Sequence, residues 1–240
     1  MAVDEAILTA RTEGKVPNTL RLYTWKPSAV SIGFFQSLHH EVDLEECRNL
    51  GVDVVRRITG GGAVFHDSDG EVTYSVVVAE ADLKRITPHS TIQESYEALC
   101  KGLLEGLKEL AIAAEFKPIN DILVAGRKIS GSAQTRRRGI ILQHGTLLLK
   151  SDIRTMFRVL KVSKEKISDK LIKEVEERVT NIYRETGREL AVEEVIGALV
   201  KGFQRALGVK LKEGELSPYE LSLAEEFKHR YASKEWLELR

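Results

Sequence analysis

The sequence has 240 residues, of which 42% are hydrophobic and 30% are charged. This balance is too apolar for a disordered chain and is sufficient for a buried core, so it indicates one globular domain or one domain with a small appendage. The 36 basic and 36 acidic residues cancel to a formal net charge of zero, which argues against a general nucleic-acid or polybasic membrane binder.

No stretch approaches the roughly 18 consecutive apolar residues that a membrane-spanning helix needs, and residues 1–5 do not open a secretion signal. We therefore predict a cytoplasmic protein. The two cysteines, Cys47 and Cys100, fall in helix-like sequence and are too few for a disulfide scaffold, so we expect both to be reduced. Few Asn, Gln and Met residues beside many Lys and Glu favour a heat-adapted source.

The predicted elements are mainly strands before residue 150 and helices after it. Apolar alternation and β-branched clusters predict strands at residues 19–26, 29–34, 52–58, 71–79, 121–124, 128–134 and 139–149. Helical periodicity predicts helices at residues 3–13, 43–50, 92–111, 152–160, 164–180 and 192–207. Ser90 with Gln93 matches an N-terminal capping box, and Ser217, Pro218 and Glu220 predict the start of a last helix.

This order of elements predicts an α+β fold with a mixed or antiparallel sheet flanked by helices. The sequence contains no repeat, low-complexity tract or linker. We therefore interpret residues 1–240 as a single domain that is strand-rich over 1–150 and helix-rich over 151–240.

The segment from Arg56 to Asp67, RRITGGGAVFHD, carries the most chemical information. Its three glycines allow the main chain to approach a ligand closely, and Arg56 and Arg57 lie on opposite faces of a strand, so one can enter a pocket while the other pairs elsewhere. An ordinary hairpin turn with two surface arginines explains the same pattern.

The standard nucleotide-binding motifs are absent from these segments. Phe65 replaces the third glycine of a dinucleotide loop, and residues 126–133 lack the P-loop lysine.

A second group of polar residues surrounds the predicted strand at residues 128–134. If that strand is regular, Lys128, Ser130, Ser132 and Gln134 share one face. A lysine ammonium can contact a substrate carboxylate and the phosphate that activates it, and the nearby Asp121 carboxylate could hold Mg²⁺. A solvated strand face is the alternative.

The third group, Gln143-His144-Gly145-Thr146, interrupts an otherwise apolar strand. Polar residues in a buried strand need partners and often mark the close approach of a ligand. For His144 alone, a hydrogen-bonded core histidine is the competing interpretation.

In this order, RRITGGGAVFHD, NDILVAGRKISGSAQ (Asn120 to Gln134), QHGTLLL (Gln143 to Leu149) and ERVTNI (Glu177 to Ile182) closely resemble lipoate-protein ligase and its relatives. The resemblance covers residues 1 to about 210 and implies the biotin and lipoate ligase catalytic fold, which is similar to class II synthetases. It implies activation of lipoate with MgATP to lipoyl-adenylate. The implied acceptor is a lysine of a lipoyl domain in a 2-oxoacid dehydrogenase complex, or of the glycine-cleavage carrier protein.

Carried over to this sequence, the resemblance makes Lys128 the catalytic residue, in contact with the acyl carboxyl and the α-phosphate. Asp121 would assist through Mg²⁺ or the phosphate, and His144 would support the pocket floor. Other residues would form the acyl tunnel and adenylate loop: Arg57, Gly60, Gly61, Gly62, Ala63, Val64, Phe65, His66, Asp67, Ser130, Ser132, Gly145 and Thr146.

Ligases that act alone carry a further C-terminal accessory domain, whereas this sequence stops at Arg240 as in related archaeal proteins. The resemblance therefore predicts a ligase subunit that needs a separate small accessory protein for activation. One alternative is an octanoyl or lipoyl transferase of the same fold, which uses an acyl-carrier donor and a cysteine thioester. We rank it lower because residues 115–120, before the strand at Asp121, contain no cysteine. A non-catalytic subunit that binds an acyl-adenylate is the other alternative.

Overall fold

The computed structural model describes residues 1–88, 91–150, 152–161 and 169–240. Its strands are β1 (Thr19–Tyr23), β2 (Ala29–Ile32), β3 (Asp53–Arg56), β4 (Val64–His66), β5 (Glu71–Ala79), β6 (Glu115–Lys117), β7 (Asp121–Val124), β8 (Arg127–Arg137) and β9 (Ile140–Leu148). Its helices are α1 (Ala2–Thr12), α2 (Leu38–Glu41), α3 (Leu44–Leu50), α4 (Glu80–Ile86), α5 (Ile92–Glu109), α6 (Ile153–Val159), α7 (Asp169–Arg178), α8 (Ile182–Thr186), α9 (Val192–Leu207), α10 (Pro218–Tyr231) and α11 (Lys234–Leu237). Within these ranges, none of the helices combines the length and the apolar character needed to span a bilayer.

The larger of two sheets has the strand order β1-β5-β9-β8-β7-β6, and each neighbouring pair is antiparallel. Helices α5 and α9 cover one face, where Tyr74 and Leu147 join the main hydrophobic core. Helices α1 and α10 cover part of the opposite face, against Val77 and Leu142. The predicted α+β class, with an antiparallel sheet flanked by helices, is confirmed.

The smaller sheet has the order β3-β2-β4, with β2 parallel to β3 and antiparallel to β4. The strands before and after the triple glycine therefore lie on opposite sides of β2 and do not form a hairpin. The glycine loop (residues 57–63) passes over the end of β2, where a Cβ atom on Gly33 would lie 2.1 Å from the Gly61 carbonyl oxygen. Glycine at position 33 is thus required for this close approach.

A β-bulge interrupts the pairing of β7 with β8. Ile122 pairs with Ser130, but the next residue, Leu123, pairs with Lys128, so Ile129 is an extra residue in β8. Such an insertion reverses the alternation of side chains on the bulged strand.

The bulge separates the four residues predicted to share one face, Lys128, Ser130, Ser132 and Gln134, so that expectation is wrong. The Ser132 hydroxyl lies 2.7 Å from the Tyr74 hydroxyl, on the side of α5 and α9. The Lys128 ammonium instead lies beside Gly131 on the opposite face, where a Cβ atom on Gly131 would be 2.7 Å from it.

The capping box predicted for the last helix is confirmed, since Ser217 caps α10 with Glu220 at its third position and Pro218 at its first. Helix α5 starts with a different capping box, formed by Thr91 and Glu94. The predicted cap Ser90 lies outside the described residues, as do residues 164–168 of the helix predicted at 164–180.

Helices α5 and α9 pack backbone to backbone at their glycines. A Cβ atom on Gly202 would lie 2.3 Å from the Gly106 nitrogen and 2.4 Å from the Gly102 carbonyl oxygen. We expect Gly202→Ala to lower the free energy of unfolding by about 1–3 kcal/mol, because neither backbone can yield without separating the helices. In the same helix Gly197 has nothing within 4 Å of an added Cβ atom. Gly197→Ala should therefore raise the free energy of unfolding by about 0.5–1 kcal/mol. Urea unfolding of both variants tests this, and equal effects would contradict it.

The C-terminal helices are attached to the rest of the fold through buried polar side chains. Glu5 of α1 is 2% exposed and accepts hydrogen bonds of 2.7 Å from Arg137 and 2.7 Å from the Tyr231 hydroxyl, as well as one from Arg230. Arg56 of β3 is fully buried, and among the described residues its guanidinium donates only to main-chain carbonyls. Its acceptors are Gly33, Phe34, Gln36, Trp236 and Leu237.

Candidate active site

A cavity of about 390 Å³ lies between the open face of the larger sheet and the smaller sheet. The predicted site residues that line it are Arg57, Gly61, Gly62, Ala63, Val64, Phe65, His66, Asp67, Lys128, Ser130, Ser132, His144, Gly145 and Thr146. Two predicted residues, Gly60 and Asp121, do not line it directly. The structure thus brings the first three sequence motifs together around one cavity.

The Lys128 side chain is 44% exposed, and its ammonium lies 2.6 Å from Asp121 Oδ1. The fourth motif holds the backbone here, because the Thr180 amide donates to the Lys128 carbonyl oxygen at 2.8 Å. Asp121 already pairs with a cation, and the described residues contain no group of three or more His, Cys, Asp or Glu side chains suited to a metal ion. Because Mg²⁺ is usually bound through one or two carboxylates together with substrate phosphates, the magnesium ligand expected at Asp121 stays a prediction.

Arg57 is 4% exposed and holds the glycine loop from beneath. Its Nη2 donates to the carbonyl oxygens of Gly60 at 2.8 Å and Gly62 at 2.7 Å, and Nη1 donates to that of Ser31 at 2.9 Å. Burial lowers the pKa of Arg57 to about 10, so it stays charged near neutral pH. Of the two arginines, Arg57 therefore faces the cavity side, while Arg56 binds the C-terminal backbone.

His144 connects this loop to the first helix. Its Nε2 lies 2.7 Å from the Thr59 hydroxyl and its Nδ1 lies 3.7 Å from Asp4 Oδ2. With the proton on Nδ1, Nε2 accepts from Thr59, which in turn accepts from Arg57 Nε at 3.1 Å. Burial lowers the pKa of His144, so this ring is neutral near neutral pH and acts as a hydrogen-bonding support beneath the cavity.

His66 makes a parallel connection on the other side of Arg57. Its Nε2 is 2.8 Å from the Ser31 hydroxyl, and its Nδ1 is 2.8 Å from the carboxylate of Glu71. The Trp25 ring stacks on the imidazole at 4.1 Å. The two histidines and Arg57 thus join both sheets in one hydrogen-bonded network, which fixes the floor of the cavity.

Part of the cavity wall is apolar, and the sequence motifs do not include most of it. Helix α6 contributes Ile153 and Met156, the residue after its end contributes Leu160, and β9 contributes Leu148. Trp25 and Ser31 were also not predicted. Apolar spacing in α6 indicates only a buried helix face, so it does not distinguish a cavity wall from core.

Neither cysteine lines the cavity. Cys47 and Cys100 are free and buried, and burial raises the pKa of each thiol to about 11. Both are therefore protonated below about pH 11, and we expect iodoacetamide at pH 8 to leave the native protein unmodified but to alkylate both thiols after denaturation. Intact mass gives the count, and one alkylation in the native state would contradict it.

The two-sheet architecture and the shared motifs define the α+β catalytic fold of biotin and lipoate ligases. The family profile "Lipoyl protein ligase A/B catalytic domain" matches residues 1–204, and the chain belongs to this family.

Similar curated proteins include octanoyltransferase LipM of Brevibacillus brevis, which is 40% identical over 260 residues covering 98% of this chain and 92% of that protein. Octanoyltransferase LipM of Moorella thermoacetica is 36% identical over 259 residues, covering 100% of this chain and 93% of that protein.

Two solved structures are similar over nearly the whole chain. The bi-partite lipoate protein ligase of Thermoplasma acidophilum superposes with a TM-score of 0.86 at 31% identity, over 100% of this chain and 91% of that one. The structure of a lipoate-protein ligase A bound with ATP superposes with a TM-score of 0.83 at 30% identity, over 98% of this chain and 91% of that one.

The relatives correct the predicted function. The chain was expected to be an ATP-dependent lipoate ligase subunit with a separate accessory protein, but the curated relatives at 36–40% identity are octanoyltransferases. The alternative ranked lower in the sequence analysis is the better supported one. Ranking it lower because residues 115–120 contain no cysteine was the error.

Proposed function

We propose that this chain is an acyltransferase that moves an octanoyl group from the thioester of an acyl-carrier protein to a lysine of a lipoyl domain. The observation that carries the proposal is the identity of 40% with an octanoyltransferase over 98% of the chain. The cavity supports it, because an apolar wall beside the Lys128 side chain suits a hydrocarbon chain that ends in a polar carbonyl group.

In this reaction the acceptor amine attacks the thioester carbonyl carbon. A C–N bond forms, the C–S bond breaks, and the proton released by the amine ends on the carrier thiolate, so the products are an amide and a thiol. Negative charge develops on the carbonyl oxygen, and the ammonium of Lys128, which lines the cavity, stabilises it. Arg57 and the two histidines hold the loop and floor against which the acyl chain lies.

The proposed transfer is direct, without an enzyme thioester. Both thiols are protonated and buried outside the cavity, so neither is placed to attack a carbonyl group there. The reaction consumes no nucleotide, because the thioester is already an activated acyl group.

The test is the intact mass of an apo lipoyl domain after incubation with this protein and octanoyl-acyl-carrier protein, without ATP. We expect the gain of one octanoyl group, and no gain by a lipoyl domain whose acceptor lysine is replaced by arginine. Octanoylation only from free octanoate with MgATP, or none from the carrier, would contradict the proposal.

A further inference from the structure

The residue that faces the Lys128 ammonium across the surface of β8 is a glycine. A Cβ atom on Gly131 would lie 2.7 Å from Lys128 Nζ and 2.8 Å from Cε, closer than such contacts occur. Gly131 is not among the glycines with positive φ, so its backbone does not require glycine. The absence of a side chain at Gly131 leaves space for the end of the Lys128 side chain.

The bulge and the pairing of β7 explain why the lysine lies there. Because Ile129 is the extra residue, Lys128 lies on the same face as Gly131, and Asp121 is the direct cross-strand partner of Gly131. The side chain extends along β8 over Gly131 and meets Asp121 Oδ1 at 2.6 Å. The position of the Lys128 ammonium is thus set by two contacts: it lies over the Gly131 backbone and beside the Asp121 carboxylate.

We propose that Gly131 is a positioning residue, which holds the Lys128 ammonium at the height where it meets the acyl carbonyl oxygen. This inference rests on the proposed acyltransferase function and assigns a role to a residue outside the predicted site. A methyl group at position 131 displaces the ammonium, and a displacement of about 1 Å can cost on the order of 10²-fold in rate. The fold tolerates the methyl group, because its two close contacts are with the end of the flexible Lys128 side chain and the third neighbour, Asp121 Oδ1, would lie at an ordinary contact distance of 3.5 Å.

A double-mutant cycle tests the role. We expect Gly131→Ala to lower kcat for octanoyl transfer by about 10-fold or more with a smaller change in KM, and to change the rate by less than about 2-fold in the Lys128→Ala background. Gly197→Ala, on an exposed part of α9, serves as the glycine control with unchanged activity. Equal losses in the wild-type and Lys128→Ala backgrounds would overturn the proposal.

A crystal structure of Gly131→Ala separates this inference from the proposed function. We expect Lys128 Nζ to have moved away from Asp121 Oδ1, compared with 2.6 Å here. An unchanged contact would overturn the positioning role whatever the activity. A wild-type protein that transfers no octanoyl group would instead refute the proposed function.

Discussion

Lys128→Ala should reduce octanoyl transfer by about 10²–10³-fold while the protein remains folded. Charge stabilisation of a developing oxyanion is the principal contribution available from this residue, and removal of one such group in enzymes has an effect of this size. The side chain is 44% exposed and its partner Asp121 is 31% exposed, so loss of the ion pair costs at most about 1 kcal/mol of stability. Intact mass measures the rate of octanoyl transfer, and a thermal unfolding curve measures the stability of the variant.

Lys201→Ala is the matched control, because Lys201 lies on the exposed side of α9 and does not line the cavity. It removes the same charge and should leave the rate unchanged. A Lys128→Ala variant as active as this control would exclude Lys128 from the reaction.

Glu5→Ala should produce the largest loss of stability, about 3 kcal/mol. The carboxylate is 2% exposed and joins α1 to β8 and α10 through Arg137, Arg230 and Tyr231. Breaking a buried pair costs about 3–5 kcal/mol. We expect a loss at the lower end of this range, because the Arg137 and Arg230 side chains are 46% and 39% exposed and can reach water.

Guanidinium chloride unfolding measures this loss, with Glu225→Ala as the control. Glu225 also lies in an ion pair, with Lys228 at 3.4 Å, but both side chains are about two-thirds exposed. Its replacement should change the free energy of unfolding by about 0.5 kcal/mol or less. Equal losses in the two variants would show that Glu5 does not anchor α10.

Local sequence signals predicted most of the fold. The run of β-branched residues predicted a strand with the observed bounds of β5, Glu71–Ala79. The helical spacing of apolar residues predicted a helix with the observed bounds of α9, Val192–Leu207. The register of β8 could not be predicted, because a bulge such as that at Ile129 depends on the partner strand. Assuming a regular strand placed Lys128 on the wrong face.

The motifs predicted which segments surround the cavity but not the contacts that support them. His144 meets Asp4, and Arg56 meets Leu237, over separations of 140 and 181 residues, and no short pattern encodes such pairs. The acyl donor was predicted wrongly for a different reason. A glycine loop and a lysine serve an acyl-adenylate and a thioester equally well, because both present a carbonyl group beside an apolar chain.

The buried Arg56 guanidinium has a consequence for how the protein is made. Within the described part of the chain, its Nε and Nη2 donors find their acceptors only at Trp236 and Leu237, and a buried donor without an acceptor is costly. During synthesis, β3 and the adjoining glycine loop leave the ribosome long before these two residues do. The nascent chain therefore cannot bury Arg56 with all its donors paired until Trp236 and Leu237 have left the ribosome, about 180 residues after β3.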